Sequence, residues 1–459
     1  MPREFDWSAH QAVYQEMVCR SPFFRLPLPF LGAAVLALPV AAVAQGAAPR
    51  GEFAAAAAAV QPRVVQWRRQ IHANPELGNR EFETAKLVAA ELRRLGLKVR
   101  TGVAHTGVVA VLEGAKPGPV VALRADMDAL PVLEKTSLPF ASKRTAELNG
   151  RTVPVMHACG HDAHVAMLLG AANILAGQRN RLAGTVLFLF QPAEESFPDG
   201  EEGGAALMVK EGALTPKPDA IFALHVSPRE PGHLFFRAGS YYAASDRFKV
   251  VLRGRQTHGA VPWRGIDIAS LAALVIGEFN QIAARQVDVT NAPTVLTVAS
   301  IHAGLSYNVI PEQLEMTGTL RTFEAEQRAG ILDRMKRLLQ GAAAAYGATA
   351  ELIVDDHQPV TFNDPALVAR MTPSLIDVFG REQVHSDARR VTGAEDFPAY
   401  TRDVPGFYLQ LGVRPKGVSA EDAAPNHSPY FDLDEASLQN GVLAFVSLAT
   451  EFLKGGAAR

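Results

Sequence analysis

The sequence predicts an α/β protein of two domains, in which a main α/β domain with a mostly parallel sheet carries a smaller inserted α+β domain. Three observations support this prediction. Helix and strand signals alternate along most of the chain, which is typical of layered α/β folds. From about residue 239 to 355 the pattern changes to one of half-exposed strands and amphipathic helices. The length of 459 residues is enough for two or three domains.

The amino-acid composition excludes several classes of protein. Hydrophobic residues make up 48% and charged residues 20%, which excludes a disordered chain. A net charge of −2 gives no basis for a nucleic-acid surface. Two cysteines cannot build a disulfide framework, whereas thirteen histidines make metal or acid–base chemistry worth seeking.

Apolar periodicity places the elements of the main domain, over residues 50–238 and 356–459. We predict helices at residues 54–69, 81–95 and 165–175, where apolar residues recur at helical spacing. Short apolar runs that read as buried strands occupy residues 108–112, 120–123, 185–190 and 220–226. After residue 357 a helix at 366–379, a strand at 406–411 and a terminal helix at 435–452 complete this domain.

The inserted domain is predicted to span residues 239–355. Its strands are at 247–252, 295–301 and 313–320, and its helices at 268–284 and 325–345. This βαββα order suits a small sheet with one open face, which could serve as a lid and for dimerisation.

The N-terminus has the pattern of a secretory signal peptide. Arg20 and Arg25 precede an apolar run over residues 26–43, and Ala42-Val43-Ala44 ends it as a cleavage pattern. We therefore expect residues 1–44 to be removed and the protein to be exported to the periplasm or secreted, without a stable membrane anchor. An uncleaved anchor is the alternative, and Met17 is an alternative start.

The densest group of metal-competent side chains lies in residues 156–164. Cys159 and His161 are two positions apart and can reach one centre from a turn. A thiolate and an imidazole suit Zn²⁺ or another divalent transition metal.

Other polar side chains follow the predicted strands. Glu194 and Glu195 come after the strand at 185–190, and His225 lies at the end of the strand at 220–226. Asp126 follows the strand at 120–123. In open α/β sheets ligands bind at the carboxyl ends of strands. One glutamate could bind metal while the other acts as a base, and Asp126 could orient a metal-bound imidazole. Taken singly, a solvated acidic loop and a core histidine remain alternatives.

Together these motifs resemble the family of di-metal amidohydrolases and metallopeptidases that includes carboxypeptidase G and the aminoacylases. The hippurate hydrolase and auxin–amino acid conjugate hydrolase branch is the best match. The resemblance covers about residues 60–455 and rests on residues 67–72, 75–77, 124–131, 156–164, 191–195, 258–262, 308–311, 395–397 and 427–429.

The resemblance implies a metal-dependent amidohydrolase that cleaves N-acyl-L-amino acids with two divalent ions, Mn²⁺ or Zn²⁺, or Co²⁺. The implied metal ligands are Cys159, bridging both ions, with His161, Glu195, His225 and His427. It further implies that Glu194 is the general base, that Asp126 orients a ligand, and that the protein is a homodimer. His258 would stabilise the oxyanion in a partner subunit, and Asn308 and Arg321 would hold the substrate carboxylate.

Two other functions stay open at the level of sequence. A di-metal aminopeptidase or dipeptidase would use the same metals on substrates with a free amine. A non-catalytic exported binding protein would keep the scaffold without turnover.

Overall fold

The computed structural model describes residues 51–288 and 290–455, with only the backbone of residue 356. The predicted signal peptide, residues 1–44, lies outside the described residues. In the part of the chain that is described, none of the helices combines the length and the hydropathy of a membrane span.

Eight α-helices lie within the described ranges. They are α1 (Ala54–His72), α2 (Phe82–Arg94), α3 (His161–Gly177), α4 (Gly204–Lys210), α5 (Ile268–Arg285), α6 (Ala325–Tyr346), α7 (Pro365–Phe379) and α8 (Leu438–Lys454). All of the predicted helices are present within a few residues of their expected ends, and α4 is additional.

The strands outnumber those predicted. They are β1 (Lys98–Val103), β2 (Gly107–Glu113), β3 (Lys116–Asp126), β4 (Thr145–Leu148), β5 (Arg151–Pro154), β6 (Ala183–Gln191), β7 (Ala220–Ser227), β8 (Leu234–Phe235), β9 (Gly239–Tyr242), β10 (Ala244–Arg253), β11 (Thr257–His258), β12 (Val295–Ala303), β13 (Val309–Ile310), β14 (Gln313–Thr322), β15 (Thr349–Gln358), β16 (Thr361–Asn363), β17 (Val384–His385) and β18 (Gly406–Gly412). Every predicted strand coincides with one of these.

The main sheet has eight strands in the order β1-β2-β6-β3-β7-β18-β8-β17. Its centre, β6-β3-β7-β18, is parallel, and all four strands are buried in their carboxyl-terminal halves. Continuous apolar strands of this kind need helices on their faces. Helices α1, α3 and α8 pack together and form one apolar core with this sheet. The carboxyl ends of the four central strands therefore meet at one edge.

A second sheet of four strands, in the order β12-β14-β10-β15, is entirely antiparallel. Helices α5 and α6 pack against it around a separate apolar core that includes Phe248, Met316 and Leu339. The fourth strand, β15, is not among the predicted elements, and with it the order of elements is βαββαβ. The predicted two-domain α/β fold is confirmed, while the limits of residues 239 and 355 stay predictions.

Candidate metal centre and active site

A sharp turn before α3 brings Cys159 and His161 to the sheet edge. Gly160 lies between them with φ +91°, a conformation that residues with a Cβ rarely adopt. A Cβ on this residue would lie 2.3 Å from Val226 Cγ2. Only glycine therefore lets the turn pass close to the end of β7, where His225 is located.

Five predicted ligands converge at this edge. Cys159 Sγ is 3.3 Å from His225 Nε2, and His427 Nε2 is 2.9 Å from Glu195 Oε1. Cys159, His161 and His225 offer ligand atoms within 4.8 Å of one another, and so do Cys159, Glu195 and His427. The two triads share the thiol, so the arrangement suits a pair of ions with Cys159 between them.

Hydrogen bonds behind the imidazoles fix their tautomers. His161 Nδ1–H donates to Asp128 Oδ1 at 3.1 Å, and His225 Nδ1–H donates to the Val226 carbonyl at 2.7 Å. In His225, Nε2 therefore keeps its lone pair toward the cluster, as metal-binding histidines require. Burial lowers the pKa of His161, but the carboxylates of Asp126 and Asp128 raise it to about 10, so a metal ion would take the place of the Nε2 proton. His161 Nε2 is buried without a hydrogen-bond partner. A buried ring nitrogen without a partner, among thiol, imidazole and carboxylate groups, fits a bound cation.

His164 is close by but is not available as a ligand. Its Nδ1–H donates to Asp126 Oδ1 at 2.5 Å, and its Nε2 accepts from Val226 N–H at 2.8 Å. Both ring nitrogens are thus used in holding α3 to the ends of β3 and β7.

Asp126 does not make the orienting contact expected of it. Asp128 supports His161, and its second oxygen accepts from Glu195 N–H at 2.9 Å. Asp126 accepts instead from His164 and, at 2.7 Å, from Arg124 Nη1, and its Oδ2 is 3.7 Å from His161 Nε2. Asp126 is the last residue of β3, whereas Asp128 lies two residues beyond the strand.

Electrostatics at the site favour binding a cation. Burial, together with the nearby Glu195 and Glu194, raises the pKa of the Cys159 thiol well above its usual value. Burial holds the pKa of His225 well below the usual value, so this ring is neutral at pH 7. A thiolate here needs a compensating positive charge, which divalent ions supply.

Glu194 occupies a different environment from Glu195. Its Oε2 is 4.0 Å from His161 Nε2, and it forms an acidic group with Glu395 and Asp396. Burial and the neighbouring Glu395 raise the pKa of Glu194 well above its usual value. A carboxylate with a raised pKa beside a metal cluster suits proton transfer.

A cavity of about 440 Å³ opens onto the cluster. Four of the predicted ligands, Glu194 and Arg321 are among the residues that line it. Arg321 of β14 pairs in register with Ser245 of β10, which pairs with Gln358 of β15. The second sheet thus presents a row of polar side chains to the metal cluster.

His258 and Asn308 are not brought to this cavity within one chain. His258 is exposed on β11, opposite Val309 of β13, and Gly259 N–H donates to the Asn308 carbonyl at 2.7 Å. The two residues are therefore neighbours of each other, but neither lines the cavity that holds Arg321. The sequence prediction that Asn308 and Arg321 act together is not met inside a single subunit.

Several site residues were not assigned from the sequence. Glu395 accepts from Arg124 Nη2 at 2.7 Å and lines the cavity beside Glu194. Asn426 Nδ2–H donates to the Cys159 carbonyl at 2.9 Å. Glu395 belongs to the motif at 395–397 and Asn426 adjoins the one at 427–429. Their chemistry becomes visible only from contacts between distant segments.

Comparison with known proteins assigns the chain to a family. The model of Peptidase family M20/M25/M40 matches residues 122–451. The chain belongs to this family. The matched region extends from β3 to α8, and thus contains the whole metal cluster and the second sheet.

Two named relatives align with most of the chain. It is 39% identical over 396 residues to thermostable carboxypeptidase 2 of Saccharolobus solfataricus, which covers 86% of this chain and 96% of the relative. It is 37% identical over 410 residues to IAA-amino acid hydrolase ILR1-like 2 of Arabidopsis thaliana, which covers 87% and 88%.

Among solved structures, the Bacillus subtilis YXEP protein, described as a dinuclear metal-binding peptidase of the M20 family, aligns with a TM-score of 0.71. The identity is 34%, over 85% of this chain and 98% of that one. The protein is thus an M20 hydrolase acting on amide bonds, with a site for two divalent ions.

Proposed function

We propose that the protein is an amidohydrolase that cleaves N-acyl-L-amino acids, such as hippurate-like conjugates, to a carboxylic acid and a free amino acid. The observation that carries this proposal is the pair of triads sharing Cys159, with Glu194 beside them and Arg321 across the same cavity. The metal cluster and Glu194 suit an amide, and the guanidinium of Arg321 suits a carboxylate on the same substrate.

Cys159, His161, Glu195, His225 and His427 are the proposed metal ligands. The thiol and imidazoles suit Zn²⁺, and Mn²⁺ is the other candidate, with Co²⁺ as a third. When bound, two such ions lower the pKa of the attacking water and polarise the scissile carbonyl.

Glu194 is the proposed general base. It takes a proton from the attacking water and passes it to the leaving amine. Its raised pKa, caused by burial and by Glu395, favours holding that proton between the two steps. Two further residues support the site. Asp128 fixes the His161 ring, and Arg124 holds the carboxylates of Asp126 and Glu395. Asp126, assigned to catalysis from the resemblance, is proposed to hold His164 rather than to touch substrate.

Arg321 is the proposed anchor of the substrate carboxylate. A planar guanidinium binds a carboxylate through two hydrogen bonds and so fixes the amide against the base. Ser245 and Gln358, in register beside it, add polar groups on the same wall of the cavity.

A homodimer would explain where His258 and Asn308 lie. Strand β12 is the edge of the second sheet, and Ile301, Leu305 and Tyr307 on or after it are strongly exposed. An exposed apolar edge strand pairs readily with a second copy. Such pairing would let His258 stabilise the oxyanion, and Asn308 the carboxylate, in the partner's site.

Export is proposed on sequence alone. The basic residues, apolar run and cleavage pattern before residue 45 support removal of residues 1–44 and a periplasmic or secreted enzyme. The N-terminus of the mature protein, determined by mass spectrometry from an exporting host, tests this.

A di-metal aminopeptidase or dipeptidase is the second candidate, and the relative named a carboxypeptidase supports peptide hydrolysis in general. One relative is named a carboxypeptidase and the other an IAA-amino acid hydrolase, so the first name refers to peptides and the second to an amino acid conjugate. An aminopeptidase or dipeptidase requires a free amine on its substrate, whereas an N-acyl-amino acid hydrolase acts on a substrate whose amine is acylated.

The test is amino acid release by the metal-loaded protein. We expect N-benzoylglycine and N-acetyl-amino acids to be hydrolysed faster than an unblocked dipeptide. N-benzoylglycinamide is the control, and its hydrolysis should be much slower because it lacks the carboxylate that Arg321 is proposed to bind. Faster hydrolysis of the dipeptide would favour a peptidase, and full metal occupancy without any hydrolysis would indicate a binding protein.

A further inference from the structure

We infer that the hydroxyl of Tyr242 is a further catalytic group, which donates a hydrogen bond to the scissile carbonyl oxygen as negative charge develops on it. The inference rests on the proposed amide hydrolysis. It concerns a residue of β9, at the junction of the two sheets, to which the sequence analysis assigned no role.

Tyr242 is held in a chain of side-chain hydrogen bonds. Gln410 Nε2–H donates to Tyr242 Oη at 2.5 Å, and Tyr241 O–H donates to Gln410 Oε1 at 3.1 Å. The glutamine amide is thereby occupied at both ends. Since the oxygen of Tyr242 already accepts from Gln410, its own proton points elsewhere.

The proton of Tyr242 has no acceptor among the described residues. The side chain is 6% exposed, and the only hydrogen bond to its hydroxyl in the described ranges is the one from Gln410. A buried phenol normally finds an acceptor, because leaving the donor unpaired costs free energy. Both Tyr242 and Gln410 line the cavity, so a bound substrate can supply that acceptor.

The position of Gln410 places this donor beside the metal cluster. In the parallel pair β7–β18, Gln410 is directly opposite His225. Opposed residues of neighbouring strands project from the same face. The Tyr242 hydroxyl is therefore near the ring whose Nε2 contacts Cys159, where a scissile carbonyl must lie.

The ring of Tyr242 is also rigidly packed. It makes edge-to-face contacts with Tyr241 and Tyr408, with centroid distances of 5.2 Å in both cases. Burial raises the pKa of Tyr242 well above its usual value, which keeps the proton on the oxygen at neutral pH. A fixed donor that needs no reorganisation stabilises developing charge most effectively.

The variant Tyr242→Phe removes only the hydroxyl and keeps the packed ring. We expect kcat for N-benzoylglycine to fall by roughly 10²–10³-fold, the usual effect of removing one oxyanion donor. KM and metal content should change little. Tyr400→Phe is the matched control, because this equally buried tyrosine donates to Gln191 but does not line the cavity. Its kcat should stay within about threefold of wild type.

A second measurement separates catalysis from structure. A phosphinic acid analogue of the tetrahedral intermediate should bind Tyr242→Phe more weakly by about the factor lost in kcat/KM, while the affinity for the product glycine is unchanged. Unchanged kcat, or equal losses in analogue and glycine affinity, would overturn the inference. A wild-type protein that hydrolyses no N-acyl amino acid would overturn the proposed function, and this inference with it.

Discussion

A single carboxylate organises two of the proposed metal ligands. Asp128 accepts from the His161 ring and from the backbone of Glu195, with one oxygen for each. His225 depends instead on a backbone carbonyl, which no substitution of a side chain removes. The cluster is therefore most vulnerable at Asp128.

Asp128→Asn tests this dependence. An amide offers one acceptor in place of two, so either His161 or Glu195 loses its support. We expect metal affinity, measured by titration, to fall about 10–100-fold, the typical effect of such outer contacts. Asp432→Asn, in a loop near the carboxyl end, is the control and should bind metal as wild type does. Unchanged affinity in Asp128→Asn would show that the ligands are positioned without this carboxylate.

At the residue scale, the sequence predicted which side chains converge but not how they are supported. Glu195 and His225 stood out by their place at strand ends, and Cys159 and His161 by their close spacing. The family resemblance added His427. Asp126 and Asp128 could not be told apart, because both follow the same strand and only the path of the chain decides which one meets His161.

At the scale of elements, the turn that starts α3 positions the shared thiol. Gly160→Ala would force an unfavourable φ and a clash with Val226, at the end of β7. We expect this variant to bind less metal and to melt at a lower temperature. The control, Gly177→Ala at the end of α3, has open space around its Cβ and should be neutral or slightly stabilising. Equal metal content in wild type and Gly160→Ala would contradict this account of the turn.

Helices α1 and α8 are joined by an ion pair with a defined pH dependence. Glu435, just before α8, contacts Arg69 and, at 3.1 Å, Arg68. Burial raises the pKa of Glu435, but the hydrogen bond from Arg69 and the charge of Arg68 outweigh burial and lower this pKa below its ordinary 4.5. A lowered pKa in the folded state gives stability that is present above pH 4.5 and is lost as the pH falls further.

Glu435→Gln should therefore lower the melting temperature at pH 7, and its difference from wild type should shrink below about pH 4.5. Glu451→Gln, in the exposed pair with Lys454 of α8, is the control and should change little at either pH. A deficit of equal size at pH 7 and pH 3.5 would show that the glutamate acts by packing rather than by charge.

Long helices and strands were predictable because the apolar residues in each recur with the period of that element. The short strands β8, β11, β13 and β17 have two residues each and therefore no period, so only their partners define them. Strand β15 escaped prediction because Asp355, Asp356 and His357 follow its apolar residues and obscure the alternation. Its pairing with β10 extends the second sheet up to the cavity wall at Gln358.

At the scale of the whole molecule, each active site is proposed to need two subunits. Mixing Glu194→Gln with His258→Asn tests this directly. Each variant alone should be nearly inactive, but a mixed dimer combines the intact Glu194 of one subunit with the intact His258 of the other. Random pairing of equal amounts should restore about a quarter of wild-type activity. Activity of the mixture that equals the sum of the separate variants would exclude a role for His258 in the partner's site.

The central claim is that metals at the Cys159 cluster and the carboxylate of Glu194 together hydrolyse an amide. The most direct measurement is glycine release from N-benzoylglycine by protein stripped with a chelator and then given Mn²⁺ or Zn²⁺, beside Glu194→Gln treated identically. We predict no turnover without metal, recovery as about two ions bind per subunit, and a variant that binds the same metal with almost no turnover. Hydrolysis by the stripped protein, or full activity in Glu194→Gln, would contradict the account.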